Sequence, residues 1–122
     1  MSDAVNHPSH YADQSAKLEP IDVLRYAPFD LGNALKYIIR AGHKNSELED
    51  WRKAQRYMFW VFENYKNSNQ VEYFLKNYGL LLKKFKPFSL VTTSSEAMFL
   101  MDISQLIDKN IERLEKGDES KR

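Results

Sequence analysis

The sequence contains no cysteine, which excludes disulfides, zinc–thiolate sites, iron–sulfur clusters and a cysteine nucleophile. Glycine and proline are scarce, at four each, and they fall between periodic segments, which favours helices joined by short connections. The longest strictly apolar run, residues 58–62, is far shorter than the ~20 residues that span a bilayer. Neither charge dominates: 18 Lys+Arg against 17 Asp+Glu give +1, which excludes a strong global basic field.

The chain of 122 residues has the size of one domain, and its 43% hydrophobic and 29% charged residues are typical of a soluble globular protein. Residues 1–5 lack the basic start and following apolar stretch that mark a signal peptide. We therefore expect a cytosolic protein without a membrane partner.

Apolar residues at helical spacing predict a single all-α domain over residues 1–122, a helical bundle of about four main helices. The long helices are predicted over 31–41, 47–65, 71–85 and 95–116, with a short helix over 21–25, an irregular segment over 1–18 and a disordered tail over 118–122. Capping boxes predict helix starts at Ser46, with Glu49, and at Thr93, with Glu96. Residues 90–93 could form a short strand, although no partner strand is evident.

The same spacing selects the residues expected in the core. In the helix over 47–65 they are Leu48, Trp51, Gln55, Met58, Phe62 and Tyr65. In the last helix they are Met98, Met101, Ile103, Leu106, Ile107, Ile111 and Leu114.

The stretch from residue 32 to 44 is the richest in chemistry. Lys36 and Arg40 are one helical turn apart and share a face, and His43 and Lys44 follow in the turn. A new helix then starts at Ser46 with free backbone amides, so these cations could form a phosphate cradle. The alternative is a solvated basic face beside an ordinary helix–turn–helix.

The next helix carries a second polar stripe of Asp50, Lys53 and Tyr57. If the two helices are antiparallel, Lys36 and Arg40 face Lys53 and Tyr57 across a groove. Cations suit phosphates and rings suit bases, so this groove would fit a nucleotide. The alternative is that Lys53 simply pairs with Glu49 in solvent.

Metal and acid–base chemistry have weaker candidates. Glu47 and Asp50 could share Mg²⁺, but helix capping also explains carboxylates in a first turn. His7 and His10 could act as metal ligands or as an acid–base pair, and a structural or solvated role is the alternative.

Three common nucleotide and hydrolase motifs, the P-loop, the Rossmann glycine motif and the nucleophile elbow, are absent. Sequence-specific nucleic-acid binding is also not expected, because the second helix of the helix–turn–helix begins with three acids that phosphates would repel.

About residues 5–60 carry an ordered set of motifs. It runs His7-Pro8-x-His10-Tyr11, Ile21-Asp22-Val23, Gly32-Asn33-Ala34-x-Lys36-Tyr37-x-x-Arg40-Ala41-Gly42-x-Lys44 and Asp50-x-x-Lys53-Ala54-x-x-Tyr57. This set resembles a family of small phage-encoded proteins, many labelled only as a domain of unknown function and a few as nucleotide kinases. The helical half over 69–117 matches no family we can name.

The resemblance implies that these polar residues converge in space. It implies a deoxynucleoside monophosphate kinase of the host cytosol that lacks a P-loop and uses ATP or another triphosphate as donor, with Mg²⁺ as a candidate cofactor. Our hypothesis assigns phosphates to Lys36, Arg40 and Lys44 and the base to Tyr37 or Tyr57. Proton transfer is assigned to His10 or Asp50, and nucleotide contacts are also expected from His7, Tyr11 and Lys53.

Two other functions remain open. The same groove could bind a nucleotide or a nucleotide-derived signal without turnover, in the manner of a counter-defence sponge. Alternatively, the aromatic stretch over 57–65 and the apolar stretch over 74–90 could form an adaptor surface for a host factor. We also expect a homo-oligomer, because so many aromatics in a small chain are often hidden in a symmetric contact.

Overall fold

The structure, a computed structural model, describes residues 17–44, 46–64 and 68–117. These residues form the helices α1 (Pro20–Leu24), α2 (Phe29–Arg40), α3 (Glu47–Glu63), α4 (Ser68–Leu82) and α5 (Glu96–Glu115). The all-α prediction is confirmed, and the four main helices lie within three residues of their predicted limits. The predicted tail and most of the predicted irregular N-terminal segment lie outside the described residues.

The helix starts depend on local caps. Ser46 Oγ accepts a hydrogen bond from the Glu49 amide at 3.2 Å, as its position predicts. At α5 the prediction of Thr93 is wrong: Ser95 Oγ caps this helix by accepting from the Met98 amide at 3.2 Å. α2 begins earlier than predicted because Pro28, in an extended conformation, occupies its N-cap and places Phe29 in the first turn.

The predicted strand over 90–93 is wrong. A 3-10 turn over Lys86–Phe88 precedes it, and no strand occurs in the described part of the chain. Phe88 is fully buried, whereas Leu90 is 94% exposed. The Thr92 amide donates to Asp102 Oδ2 at 2.7 Å, so this loop satisfies its backbone with a side chain instead of a neighbouring strand.

α3 lies between two helices, α2 along one side and α5 along another. Its buried stripe is Asp50, Trp51, Ala54, Met58 and Val61. The prediction of Gln55 and Phe62 in the core is wrong, because both are exposed, and Tyr65 lies outside the described residues. The fully buried Ala54 lies in the contact face instead.

In α5 the core is formed by Phe99, Leu100, Ile103, Ile107 and Ile111. The prediction that Met98 and Met101 lie in the core is wrong, since they are 45% and 50% exposed. The buried stripe starts one residue later than predicted, because the large Phe99 ring takes the core position.

Hydrogen bonds between side chains and stacked rings connect the helices to one another. Gln55 donates to Asp108 Oδ1 at 3.2 Å, and Arg113 donates to Glu47 Oε2 at 2.6 Å, so α3 and α5 run antiparallel. The rings of Tyr26 and Tyr78, 4.4 Å apart and nearly parallel, tie the segment after α1 to α4. Within the described ranges, no helix has both the length and the apolar character needed to cross a membrane.

Candidate functional site

The ring of Tyr37, on α2, is surrounded by three cations. Lys36 Nζ lies 4.7 Å from the ring centroid and Lys53 Nζ lies 5.4 Å from it. Arg40 Cζ lies 5.8 Å from the same centroid. Cations over an aromatic face are attracted by its negative quadrupole, which offsets part of their mutual repulsion. We call Lys36, Tyr37, Arg40, Lys53 and Tyr57 the Tyr37 cluster.

The antiparallel packing of α2 and α3 assembles this cluster. Tyr57 of α3 stacks on Tyr37 at 6.0 Å with an interplanar angle of 15°. Further along, Arg40 approaches Asp50, so residue numbers rise along α2 as they fall along α3. The antiparallel arrangement that the predicted groove requires is therefore present.

The turn between the two helices depends on Gly42. Its φ of 86° is a left-handed conformation that side chains with a Cβ adopt at a cost. The amide of His43 donates to the Arg40 carbonyl at 2.9 Å and closes the end of α2. The chain thereby reverses within a few residues and brings α3 back along α2.

Asp50 is the buried polar residue of the described core, with no exposed surface. Arg40 Nε lies 3.9 Å from Asp50 Oδ1, and neither carboxylate oxygen has a hydrogen-bond partner. This distance gives a charge interaction without a hydrogen bond. Asp50 therefore influences the cluster through Arg40, because its carboxylate has no exposed surface on which to contact a ligand.

The charges of the cluster are only partly balanced. Lys53 Nζ lies 3.9 Å from Glu49 Oε2, and Arg40 faces Asp50. Lys36 is exposed, and no carboxylate among the described residues lies within ion-pair distance of it. Three cations against two carboxylates leave a local positive charge centred near Lys36, which attracts anions.

Aromatic rings extend the cluster away from these charges. The edge of Phe29 meets Tyr57 at 6.4 Å, and Trp60 meets the same ring at 5.4 Å. Phe29 is 75% exposed and Trp60 is 40% exposed. The Tyr37 cluster therefore carries cations and adjoins the accessible rings of Phe29 and Trp60.

Glu47 and Asp50, the candidate Mg²⁺ ligands, have different cationic partners. Glu47 Oε2 accepts from Trp51 Nε1 at 3.1 Å and from Arg113 at 2.6 Å. Asp50 faces Arg40 instead. The described residues also contain no group of three or more His, Cys, Asp or Glu side chains able to hold a metal ion. Both carboxylates thus serve contacts within the fold.

The other predicted site residues lie apart from the cluster or outside the described residues. Lys44 and His43 are exposed in the turn after α2, and neither belongs to the contacts around Tyr37. His7, His10 and Tyr11 lie outside the described residues. The first turn of α3 carries acidic side chains, and the cation that joins the cluster from α3 is Lys53, further along the helix.

Sequence reasoning did not assign the two accessible rings, Phe29 and Trp60, to the nucleotide site. The predicted helix began at residue 31, which left Phe29 in a loop. With the helix starting at Phe29, this residue and Lys36 lie two turns apart on one face, and that spacing is the signal that could have identified it.

Residues 5–58 match the model of a family described as a protein of unknown function (DUF3310). The match covers all members of the Tyr37 cluster and the Arg40–Asp50 pair. The chain is thus similar to this family over its N-terminal half, as the motif order predicts. Searches of curated proteins and of solved structures found no match.

Proposed function

We propose that the Tyr37 cluster binds the phosphate of a nucleotide. The observation that carries this proposal is the approach of Lys36, Arg40 and Lys53 to one tyrosine ring. Like charges brought this close repel one another, and a bound anion would relieve that repulsion. The adjoining rings of Phe29 and Trp60 are suited to an aromatic base rather than to a simple inorganic anion.

Phosphoryl transfer is the second candidate, and the resemblance to kinase-labelled phage proteins favours it. Such an enzyme needs a group that contacts the acceptor, together with a phosphate donor such as ATP and usually Mg²⁺. Of the two carboxylates beside the cluster, Glu49 lies 3.9 Å from Lys53 Nζ and Asp50 is fully buried. Of the two residues assigned to proton transfer, Asp50 is therefore not favoured and His10 is left, and the described contacts favour binding over catalysis.

Binding is tested by titrating the protein with deoxynucleoside monophosphates, ATP and cyclic dinucleotides in a calorimeter. Lys36→Ala and Lys53→Ala should each lower the affinity for the nucleotide about tenfold, because each removes a charge-assisted contact. Lys76→Ala, which removes an exposed lysine from α4, is the matched control and should change nothing. Affinity should also fall with added salt.

Absence of binding to every nucleotide would overturn the proposal, and so would an equal loss of affinity in the Lys76→Ala control.

The kinase candidate needs a separate assay. The protein is incubated with each deoxynucleoside monophosphate, ATP and Mg²⁺, and the products are separated by chromatography. Diphosphate formation that is lost in His10→Ala would support catalysis, whereas binding without product leaves a nucleotide-binding protein.

A further inference from the structure

We infer that the nucleotide base lies against Phe29, in the groove between α1 and α2, while its phosphate lies at Lys36. This inference rests on the proposed function and deepens it, because it assigns the base to a residue outside the predicted set. The groove has a volume of about 520 Å³ and includes both Phe29 and Lys36 in its lining. That volume lies within the range of about 300–1,000 Å³ that is usual for small-molecule sites.

The two tyrosines of the cluster are poor candidates for the base. Tyr37 has cations near its ring and Tyr57 stacked on it. Tyr57 contacts three rings, those of Phe29, Tyr37 and Trp60. A base would compete with these neighbours for the surface of either tyrosine, so the predicted role of Tyr37 or Tyr57 in stacking is not favoured.

Phe29 has the accessible surface that the tyrosines lack. It is 75% exposed, and its ring contact among the described aromatics is the edge-on contact with Tyr57. An exposed phenylalanine has a free face for a base, and stacking of this kind tolerates any of the four bases. The edge contact with Tyr57 holds the ring in place beside the cluster.

The spacing of Phe29 and Lys36 matches a ligand with an aromatic and an anionic end. The two residues are separated by two turns of α2, roughly 10 Å along the helix axis. Asn33 lies between them in the groove lining. Its Nδ2 donates to the Phe29 carbonyl at 2.9 Å, and no described residue donates to its Oδ1, so this oxygen can accept from a ligand.

The floor of the groove depends on Gly32. A Cβ at this position would lie 3.3 Å from the Leu24 carbonyl oxygen and 3.5 Å from Ala27 Cβ. Glycine therefore allows the end of α1 to approach α2 closely, and both segments line the groove. The groove is thus a consequence of backbone packing that does not require a ligand to form it.

The test compares ligands with and without a base. Wild-type protein and Phe29→Ala are titrated with the four deoxynucleoside 5′-monophosphates and with 2-deoxyribose 5-phosphate. Phe29→Ala should lower the affinity for the nucleotides about tenfold or more and leave the affinity for the sugar phosphate unchanged. Phe29→Trp should retain nucleotide affinity, and Tyr73→Ala, which removes a 66% exposed ring from α4, is the matched control.

The outcomes separate this inference from the proposed function. If Phe29→Ala weakens nucleotides and sugar phosphate equally, or weakens neither, while Lys36→Ala weakens both, phosphate binding stands and the base site is wrong. If wild-type protein binds neither class of ligand, the proposed function fails and the inference fails with it. Circular dichroism of Phe29→Ala distinguishes lost stacking from lost fold.

Discussion

Arg40 Nε lies 3.9 Å from Oδ1 of Asp50, and this pair links the end of α2 to the first turn of α3. Asp50 has no exposed surface, whereas 34% of the Arg40 side chain is exposed. Because no hydrogen bond reaches either oxygen of Asp50, Arg40 is its main source of compensating charge. Arg40 is therefore part of the fold as well as a candidate ligand contact, which helical spacing alone does not reveal.

Arg40→Ala should lower the free energy of unfolding by about 1–3 kcal/mol, because it leaves the buried carboxylate unpaired. The range lies below that of a fully buried pair, since water screens the exposed part of Arg40. Urea denaturation of Arg40→Ala and of Arg40→Ala/Asp50→Asn measures the effect. The double variant should recover part of the loss, and equal stability of the two variants would contradict the assigned pairing.

Arg113→Ala should destabilise the protein by about 1–2 kcal/mol, because Arg113 holds the Glu47 carboxylate between α5 and the start of α3. Thermal unfolding followed by fluorescence reports on this contact, since Trp51 also donates to Glu47. The matched control is Lys116→Ala, which breaks an exposed pair with Glu112 on the same helix. If Lys116→Ala destabilises the protein as much as Arg113→Ala does, the contact between Arg113 and Glu47 is not the cause of the loss.

Glu96→Gln should stabilise the protein at neutral pH. Burial, followed by the negative charge of Glu72, raises the pKa of Glu96 above its ordinary value. The folded state therefore binds the carboxyl proton of Glu96 more tightly than the unfolded state does. The stability that this proton contributes is complete below the ordinary pKa of a glutamate and is lost as the pH rises through the raised pKa of Glu96. The neutral amide avoids that loss, so Glu96→Gln should be more stable than the wild type at pH 7.

The measurement for Glu96 is chemical denaturation of both proteins across the acid-to-neutral range. The gain should shrink as pH falls towards the ordinary carboxyl pKa. Glu72→Gln should act in the same direction with a smaller effect, because it removes only the neighbouring charge. A gain that does not change with pH would mean that the charge of Glu96 is not its cause.

Gly42→Ala should cost about 1–2 kcal/mol, since the φ of 86° is strained for a residue with a Cβ. Gly42→Asn should cost less, because asparagine tolerates this conformation better than alanine does. Urea denaturation compares the three proteins. If alanine and asparagine cost the same, the loss comes from something other than backbone conformation at this turn.

Self-association of the chain is expected, with the exposed rings of Phe59 and Phe62 on α3 in the contact. Light scattering at micromolar concentration should give more than a monomer mass, and Phe59→Ser/Phe62→Ser should lower it. A monomer mass for the wild type contradicts the oligomer.

The apolar area that residues 74–90 could offer to an adaptor partner is smaller than the sequence suggests, because Phe74, Leu82 and Phe88 are fully buried.

Sequence patterns predict the helices well because helical periodicity and caps are local. Ser46 is a cap that position alone identifies, and it is confirmed. The choice between Thr93 and Ser95 depends on where the loop before α5 packs, and the structure selects Ser95. Likewise, the burial of Phe99 over Met98 depends on the neighbouring helices, which no local pattern specifies.

For the candidate site, the sequence determined which cations could share a helix face, because the spacing of Lys36 and Arg40 follows from helix geometry. Only the packing of α2 against α3 decided that Lys53 and Tyr57 join them at Tyr37 and that Asp50 is buried against Arg40. The reason is that contacts between helices depend on which apolar helix faces are buried against each other. That choice is made by the close packing of the whole core, in which Ala54 is fully buried.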